Sequence, residues 1–329
     1  MSKVEDIKKV IGKVTKEKEY LNIMISTNIV GKDFKYSNNM ENLDKLYEIG
    51  SSSKMFTALS IFLLDERKDL SIEDPISKYL HKEICEKLFI NNFDYSNVKI
   101  KTLLNHTSGI GEHLNSGDDM ALFKKFNNSK KNHPLKELIN LSKENKILTY
   151  MPVNKQFQYS NIGYMLLGKI IENVTKENYK QFIIKNILEV LGMENTTFIG
   201  NNNSSRELIQ GHFRGEKANM PSNIALSAGE MISNLEDMLI FLKGVFDCKI
   251  VSKETLDIIL KSIENSIDAS MHYGFGFYNE KNLIGHGGQT LGFYTKAFYL
   301  KKDKKYFILS FNEAESGEIS KEIIDIIFK

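Results

Sequence analysis

Strand-patterned segments lie at both ends of this chain, and a long helix-patterned middle separates them. From about Tyr20 to Tyr47, and again from about Asn282 to Asn312, the pattern favours strands. The second region is the clearer. Leu291 to Leu300 and Tyr306 to Phe311 flank Lys301-Lys-Asp-Lys-Lys305, which reads as a solvated hairpin turn because an aspartate interrupts the lysines and apolar strands border them. Val4, Ile7, Ile11 and Val14 near one end, and Ile319, Ile323, Ile326 and Ile327 near the other, repeat with the spacing of a single helix face. From about Ser71 to Glu230 the chain reads mainly as helices and loops. Sheet segments at both ends imply a discontinuous α/β domain, residues 1–75 and 225–329, with a terminal helix at each end covering one sheet face. A mainly helical all-α domain, 76–224, is then an insertion, and the cleft between two such domains is a common ligand site.

Composition removes several classes of function. The 329 residues are 41% hydrophobic and 26% charged, within the ordinary globular range and long enough to bury a core without staples. Lys and Arg number 44 against 42 Asp and Glu, a formal charge of +2, which offers no broad cationic field for nucleic acid. No apolar run reaches the roughly 18 residues of a membrane span. The N-terminus lacks the apolar core of a secretory signal, so the chain as written is expected in the cytoplasm unless a leader has been trimmed from it. Cys85 and Cys248 stand far apart, outside any C-x-x-C, and read as two buried thiols in a reduced compartment.

Most short motifs fail on inspection. Gly163-Tyr-Met-Leu-Leu-Gly168-Lys169-Ile170 nearly matches a phosphate-binding loop, but its interior is apolar and Ile170 has no hydroxyl for magnesium, so it reads as a buried helix. There is no G-x-G-x-x-G, H-E-x-x-H or G-x-S-x-G, and no zinc-like spacing among the 7 histidines. No metal and no cofactor is implied.

What survives is Ser51-Ser-Ser-Lys54. Residues three apart share one helix face, so hydroxyl and amine can meet. Serine is a poor nucleophile until a neighbour takes its proton, and a lysine can do so if burial and nearby cations lower its pKa. The residues that follow, Met55 to Leu64, are apolar nearly all round, as a buried helix requires. The bland alternative makes Ser51 a helix cap with Lys54 in solvent. The same spacing recurs at Ser96-Asn-Val-Lys99, where Val98-Lys-Ile100 looks extended.

Ser51-x-x-Lys54, Tyr159-Ser160-Asn161 and His286-Gly287-Gly288 stand in the order of the three site motifs of the penicillin-recognising serine hydrolases. The chain resembles above all the class C β-lactamases and the related D,D-peptidases and esterases, over roughly residues 45 to 300. Tyr-x-Asn alone is unspecific, since Tyr20, Tyr36 and Tyr95 also begin one. Only Tyr159 lies in the longer phrase Phe157-Gln-Tyr-Ser-Asn-Ile-Gly-Tyr-Met-Leu-Leu-Gly168. Leu103-Leu-Asn-His-Thr-Ser-Gly109, Ser227-Ala-Gly229, Asn234-Leu-Glu-Asp237 and Tyr273-Gly-Phe-Gly-Phe277 are further family-like phrases.

The resemblance implies a β-lactamase-like fold and a serine acyl hydrolase acting through an acyl-enzyme on an ester, amide, peptide or β-lactam carbonyl. Ser51 is its implied nucleophile, and Lys54 and Tyr159 share the proton transfers, with either able to serve as base. Asn161 is implied to bind substrate or steady Lys54, unless it is only a helix cap, just as Tyr159 could be only a packed aromatic. His286, Gly287, Gly288 and Gln289 are implied to form the substrate strand, with the N–H groups of Ser51 and Gln289 as the oxyanion hole. His106 reads as a structural residue bonding loop backbone. His286 stands where many relatives carry lysine. Being mostly neutral near pH 7, it points away from carboxylate-bearing β-lactams and toward esters or uncharged amides. Pro152-Val153 replaces a usual Pro-Gly, and Glu230 reads as an exposed loop carboxylate. Two other functions remain open: a penicillin-binding protein or D,D-peptidase that turns over slowly, and a non-catalytic sensor of β-lactams or peptides.

Overall fold

A reciprocal cap starts the first helix, α1 (Lys3–Glu17). The Glu5 N–H donates to the Ser2 hydroxyl at 3.3 Å, and the Ser2 N–H donates to the Glu5 carboxylate at 2.9 Å. The structure, a computed structural model, describes residues 2–31, 33–88, 97–110, 135, 139–140, 153, 156–201, 206–222, 224–261, 272–280 and 283–329. Pro152, Asn282, Tyr95 and Ser96 lie outside the described residues. Further helices are α2 (Ser53–Glu66), α3 (Lys82–Leu88), α4 (Ile100–Leu104), α5 (Asn161–Thr175), α6 (Tyr179–Ile183), α7 (Glu189–Leu191), α8 (Leu235–Phe246), α9 (Lys253–Ile259) and α10 (Gly317–Phe328).

The strands come from both ends of the chain, and all pair antiparallel. β1 (Ile23–Thr27), β2 (Phe34–Ser37), β8 (His272–Tyr273), β9 (Tyr278–Glu280), β10 (Leu283–Gln289), β11 (Tyr294–Leu300) and β12 (Lys305–Phe311) form one sheet in the order β2-β1-β12-β11-β10-β9-β8. The lysine-rich segment at 301–304 is the turn between β11 and β12, as the sequence implies.

Strand alternation divides the sheet's side chains between two cores. Ile23, Ile25, Phe307, Leu309 and Phe311 pack with Ile7 and Ile11 of α1 and Ile323 and Ile327 of α10. Met24, Tyr306 and Ile308 turn to the other face and join a larger core with α2, α5 and α8. At the centre of that core α2 is surrounded: Met55, Phe56, Ala58, Leu59, Ile61, Phe62 and Leu64 are all buried, and Phe56 stacks on Phe241.

Short strands are where the structure departs from the expected helical middle. β4 (Thr197–Phe198), β5 (His212–Phe213) and β6 (Glu216–Lys217) fall inside it, and β3 (Tyr47–Glu48), β7 (Met231–Ser233) and β4 form a second sheet in the order β3-β7-β4. Two or three residues carry too little alternation to be read. Val98 and Lys99 are non-helical as expected, but Ile100 already opens α4. Cys85 is buried whereas Cys248 is only half-buried, which corrects the expectation of two buried thiols. Among the described residues no helix is long and apolar enough to cross a membrane.

The failed phosphate-loop motif is indeed a buried helix, and its two glycines differ. A Cβ on Gly168 would stand 2.2 Å from the Ser227 hydroxyl, whereas one on Gly163 meets nothing closer than 3.5 Å. Overpacking costs about 1–3 kcal/mol, while Gly to Ala in an unobstructed helix gains up to about 1 kcal/mol. Thermal unfolding should therefore show Gly168→Ala melting several degrees below wild type, with Gly163→Ala at or above it.

Candidate active site

Ser51 sits at a hinge between sheet and helix. β3 ends at Glu48, the backbone turns at Gly50 with φ +50°, and a single 3-10 turn (Gly50–Ser52) runs into α2. Glycine is needed at position 50 twice over. The positive φ disfavours other residues, and a Cβ there would stand 3.0 Å from both N and O of Gln289. The turn is clamped to β10 by the Ser52 hydroxyl donating to the His286 carbonyl at 3.3 Å, and by the Thr295 hydroxyl donating to the Ile49 carbonyl at 3.3 Å. Gly288 permits the approach, because a Cβ would fall 2.0 Å from the Ile49 oxygen.

One turn on, Lys54 is wholly buried. Its Nζ lies 3.1 Å from Ser51 Oγ, 2.5 Å from Asn161 Oδ1 and 2.8 Å from the Ala228 carbonyl. The solvent-facing alternative for Lys54 is therefore excluded, and so is a capping role for Asn161. The cap of α5 is Ser160, whose hydroxyl accepts from the Gly163 N–H at 3.0 Å, while Asn161 is the first helical residue. The Tyr159 ring faces Lys54 Nζ at 4.9 Å and packs on the His106 ring at 4.3 Å.

His106 serves the backbone, as its sequence context suggests. Its Nδ1 accepts from the Ser160 N–H at 3.1 Å and its carbonyl from the Gln158 N–H at 2.7 Å, so it fixes the approach to α5. His286 is also buried: Nδ1 contacts the Gly287 carbonyl at 2.5 Å and Nε2 the Tyr273 hydroxyl at 3.3 Å. Burial first, then the charge of Lys54, lowers its pKa to about 3, against the opposing effect of the Gly287 carbonyl. The imidazole is thus neutral across the physiological range.

A cleft of about 370 Å³ is lined by Ser51, Tyr159, His286, Gly287, Gly288 and Gln289, with Tyr278, Tyr294, Thr295, Lys296 and Phe298 alongside. A cleft of about 430 Å³ around Leu188, Glu189 and Met193 has no lysine or histidine among its described lining residues and offers no comparable pair. Among the described residues no cluster of His, Cys, Asp or Glu could hold a metal ion.

Three features escaped the sequence. The Ala228 carbonyl is a backbone atom within a phrase that matched without suggesting a role. Glu230 is fully buried, not exposed, and lies 3.5 Å from the Lys180 amine. Glu48, three residues before Ser51, is fully buried as well. Its Oε1 accepts from the Met220 N–H at 2.9 Å and from Asn219 Nδ2 at 3.2 Å.

Residues 32–327 match the beta-lactamase family, and the chain belongs to that family of serine hydrolases. It is 26% identical over 304 residues to penicillin-binding protein 4* of Bacillus subtilis, covering 85% of this chain and 64% of that protein. It is 28% identical over 286 residues to protein flp of Staphylococcus aureus, covering 84% of this chain and 54% of that one. The chain thus spans between about half and two thirds of the length of these relatives. Its fold matches a crystal structure of a D-stereospecific amidohydrolase from Streptomyces with a TM-score of 0.83 at 21% identity, covering 98% of this chain and 97% of that one.

Burial pushes the Glu48 carboxyl up to about 7, against the hydrogen bonds from Thr290, Met220 and Asn219. An unfolded glutamate titrates near 4.5. Between these values the folded protein holds the extra proton, so stability falls as pH rises through the window, by about 3 kcal/mol in all. Glu48→Gln does not titrate. Its melting temperature relative to wild type should climb between pH 5 and pH 8, and a flat difference would contradict this assignment.

Proposed function

We propose that this chain is a serine acyl hydrolase working through an acyl-enzyme on Ser51, at the cleft between an α/β unit (1–75, 225–329) and a helical unit (76–224). One observation supports this above the others: the buried amine of Lys54 within 3.1 Å of Ser51 Oγ. Of the oxygens around it, Asn161 Oδ1 and the Ala228 carbonyl are acceptors, and they engage two N–H bonds. The remaining direction meets the hydroxyl. In the neutral amine that direction is a lone pair, which takes the hydroxyl proton as Oγ bonds to the acyl carbon.

The carbonyl electron pair then moves onto oxygen, and the N–H groups of Ser51 and Gln289 receive the resulting anion. Such donors are typically worth about 3 kcal/mol each in the transition state. Collapse breaks the bond to the leaving alcohol or amine, which departs with the proton held by Lys54. We assign Tyr159 the relay of that proton, because it lines the cleft beside Ser51 and faces Lys54. Water repeats the sequence on the acyl-enzyme and restores Ser51. Asn161 steadies Lys54, and the bare backbone of Gly287 and Gly288 lets the substrate lie along β10.

The substrates are small esters or amides, peptides included. Likeness of fold to an amidohydrolase supports the amide, and a neutral His286 supports weak β-lactam turnover. Likeness to a penicillin-binding protein favours one second reading, acylation by β-lactams with slow release.

Wild type should hydrolyse p-nitrophenyl acetate, and Ser51→Ala should lose at least about 10⁴-fold in kcat/KM. Intact mass after benzylpenicillin separates the readings: a long-lived adduct on wild type alone favours the binding protein, and its absence the ester or amide hydrolase. Hydrolysis undiminished in Ser51→Ala would overturn the assignment.

A further inference from the structure

The two N–H groups of the oxyanion hole come from different parts of the chain, and one buried carboxyl bonds to the supports of both. Ser51 lies three residues past Glu48, the last residue of β3, and Gln289 ends β10 one residue before Thr290. The Thr290 hydroxyl donates to the Glu48 carboxyl. Its direction is fixed, because Oγ1 accepts from the N–H groups of Gly292 at 3.3 Å and Phe293 at 3.1 Å, which leaves its one proton for the carboxyl. The Thr290 N–H closes the same turn on the Phe293 carbonyl at 2.9 Å. The methyl of Thr290 faces the Ser51 turn, where a Cβ on Gly50 would stand 3.1 Å from Thr290 Cγ2.

Two more donors aim at the same carboxyl, the Met220 N–H at 2.9 Å and Asn219 Nδ2 at 3.2 Å. The Asn219 amide is held in that orientation because its Oδ1 accepts from Gln210 Nε2 and, at 3.2 Å, from the Gly211 N–H. The segment that carries these donors lies directly against the turn at 290–293. The His212 N–H donates to the Gly292 carbonyl at 3.1 Å, and a Cβ on Gly292 would fall 1.9 Å from the Ala218 oxygen. A carboxyl wholly removed from water is costly, and an apolar side chain would fill the space without that cost. What the carboxyl adds is a set of directed bonds that fixes three backbones relative to one another: the strand before Ser51, the turn after Gln289 and the segment at 219–220.

We propose that Glu48 is a positioning residue for the oxyanion hole: through the Thr290 hydroxyl its carboxyl holds the Gln289 N–H in place against the Ser51 turn. This rests on the reading of Ser51 as nucleophile. Neither Glu48 nor Thr290 lines the cleft, so the carboxyl acts through backbone and not on the substrate. An oxyanion hole shifted by a fraction of an ångström still admits the substrate but serves the anion poorly. The loss therefore falls on kcat and on affinity for tetrahedral adducts, not on KM.

Glu48→Gln keeps the size of the side chain but sets an amide among three donors. Per active site titrated with a fluorophosphonate, its kcat for p-nitrophenyl acetate should fall at least about 10-fold, with KM within about 3-fold of wild type. Affinity for phenylboronic acid, whose tetrahedral adduct with Ser51 Oγ presents an oxygen to the hole, should weaken by a similar factor. A purely structural carboxyl lowers the number of titratable sites and leaves both values per site unchanged, and that result overturns the inference. Thr290→Val should reproduce the loss, Thr290→Ser should restore most of it, and the double variant Glu48→Gln, Thr290→Val should lose no more than the worse single variant. Losses that multiply in the double variant overturn the route through Thr290. Should Glu48→Gln not fold, the two Thr290 variants carry the same comparison, and equal kcat and boronate affinity in Thr290→Val and wild type overturn it. Phenylboronic acid bound equally by wild type and Ser51→Ala overturns instead the reading of the nucleophile.

Discussion

The buried amine of Lys54 is the contact on which the rest of this site depends. It is reached by three separate parts of the chain: the Ser51 turn, the start of α5 at Asn161, and the loop carrying Ala228. A lysine deprived of water is costly unless its hydrogens are all engaged, and three oxygens at hydrogen-bond distance meet that requirement. The arrangement also orients the amine, because two of the oxygens belong to rigid acceptors. Around it the protein builds an apolar helix, α2, whose neighbours cover it on every side.

The approach of sheet to helix is set by missing side chains. Gly50 lies against Gln289, and Gly288 lies against Ile49, so the Ser51 turn touches β10 through backbone alone. The clamps from Ser52 and Thr295 then hold that approach without filling the cleft. The same absence at Gly287 gives Lys296 its place. Small residues thus do two things at one edge: they bring the nucleophile to the strand, and they leave room for a charged side chain from the next strand.

The parts legible in the sequence were those with long-range periodicity or order. Terminal helices, the β11–β12 hairpin and the all-round apolar α2 followed from spacing, and the order of the three motifs brought Ser51, Lys54, Asn161 and His286 into one site. Short strands such as β4 to β6 carried no such pattern. The burial of Glu230 and Glu48 was hidden because both are charged, and charge ordinarily means solvent; only contact with Lys180, or with the Met220 N–H, reveals otherwise. Lys296 was hidden differently, because its place opposite Gly287 is a fact of register and cannot be read from either residue alone.

Activation of Ser51 by Lys54 is the central claim, and a fluorophosphonate tests it directly, since its phosphorus needs only an activated serine. Wild type and Lys54→Met would be compared by peptide mapping and by rate of labelling, with circular dichroism confirming that the variant is folded. The account predicts one adduct, on the peptide carrying Ser51, and labelling at least about 100-fold slower in Lys54→Met. Labelling at another residue, or an equal rate in the folded variant, would contradict it.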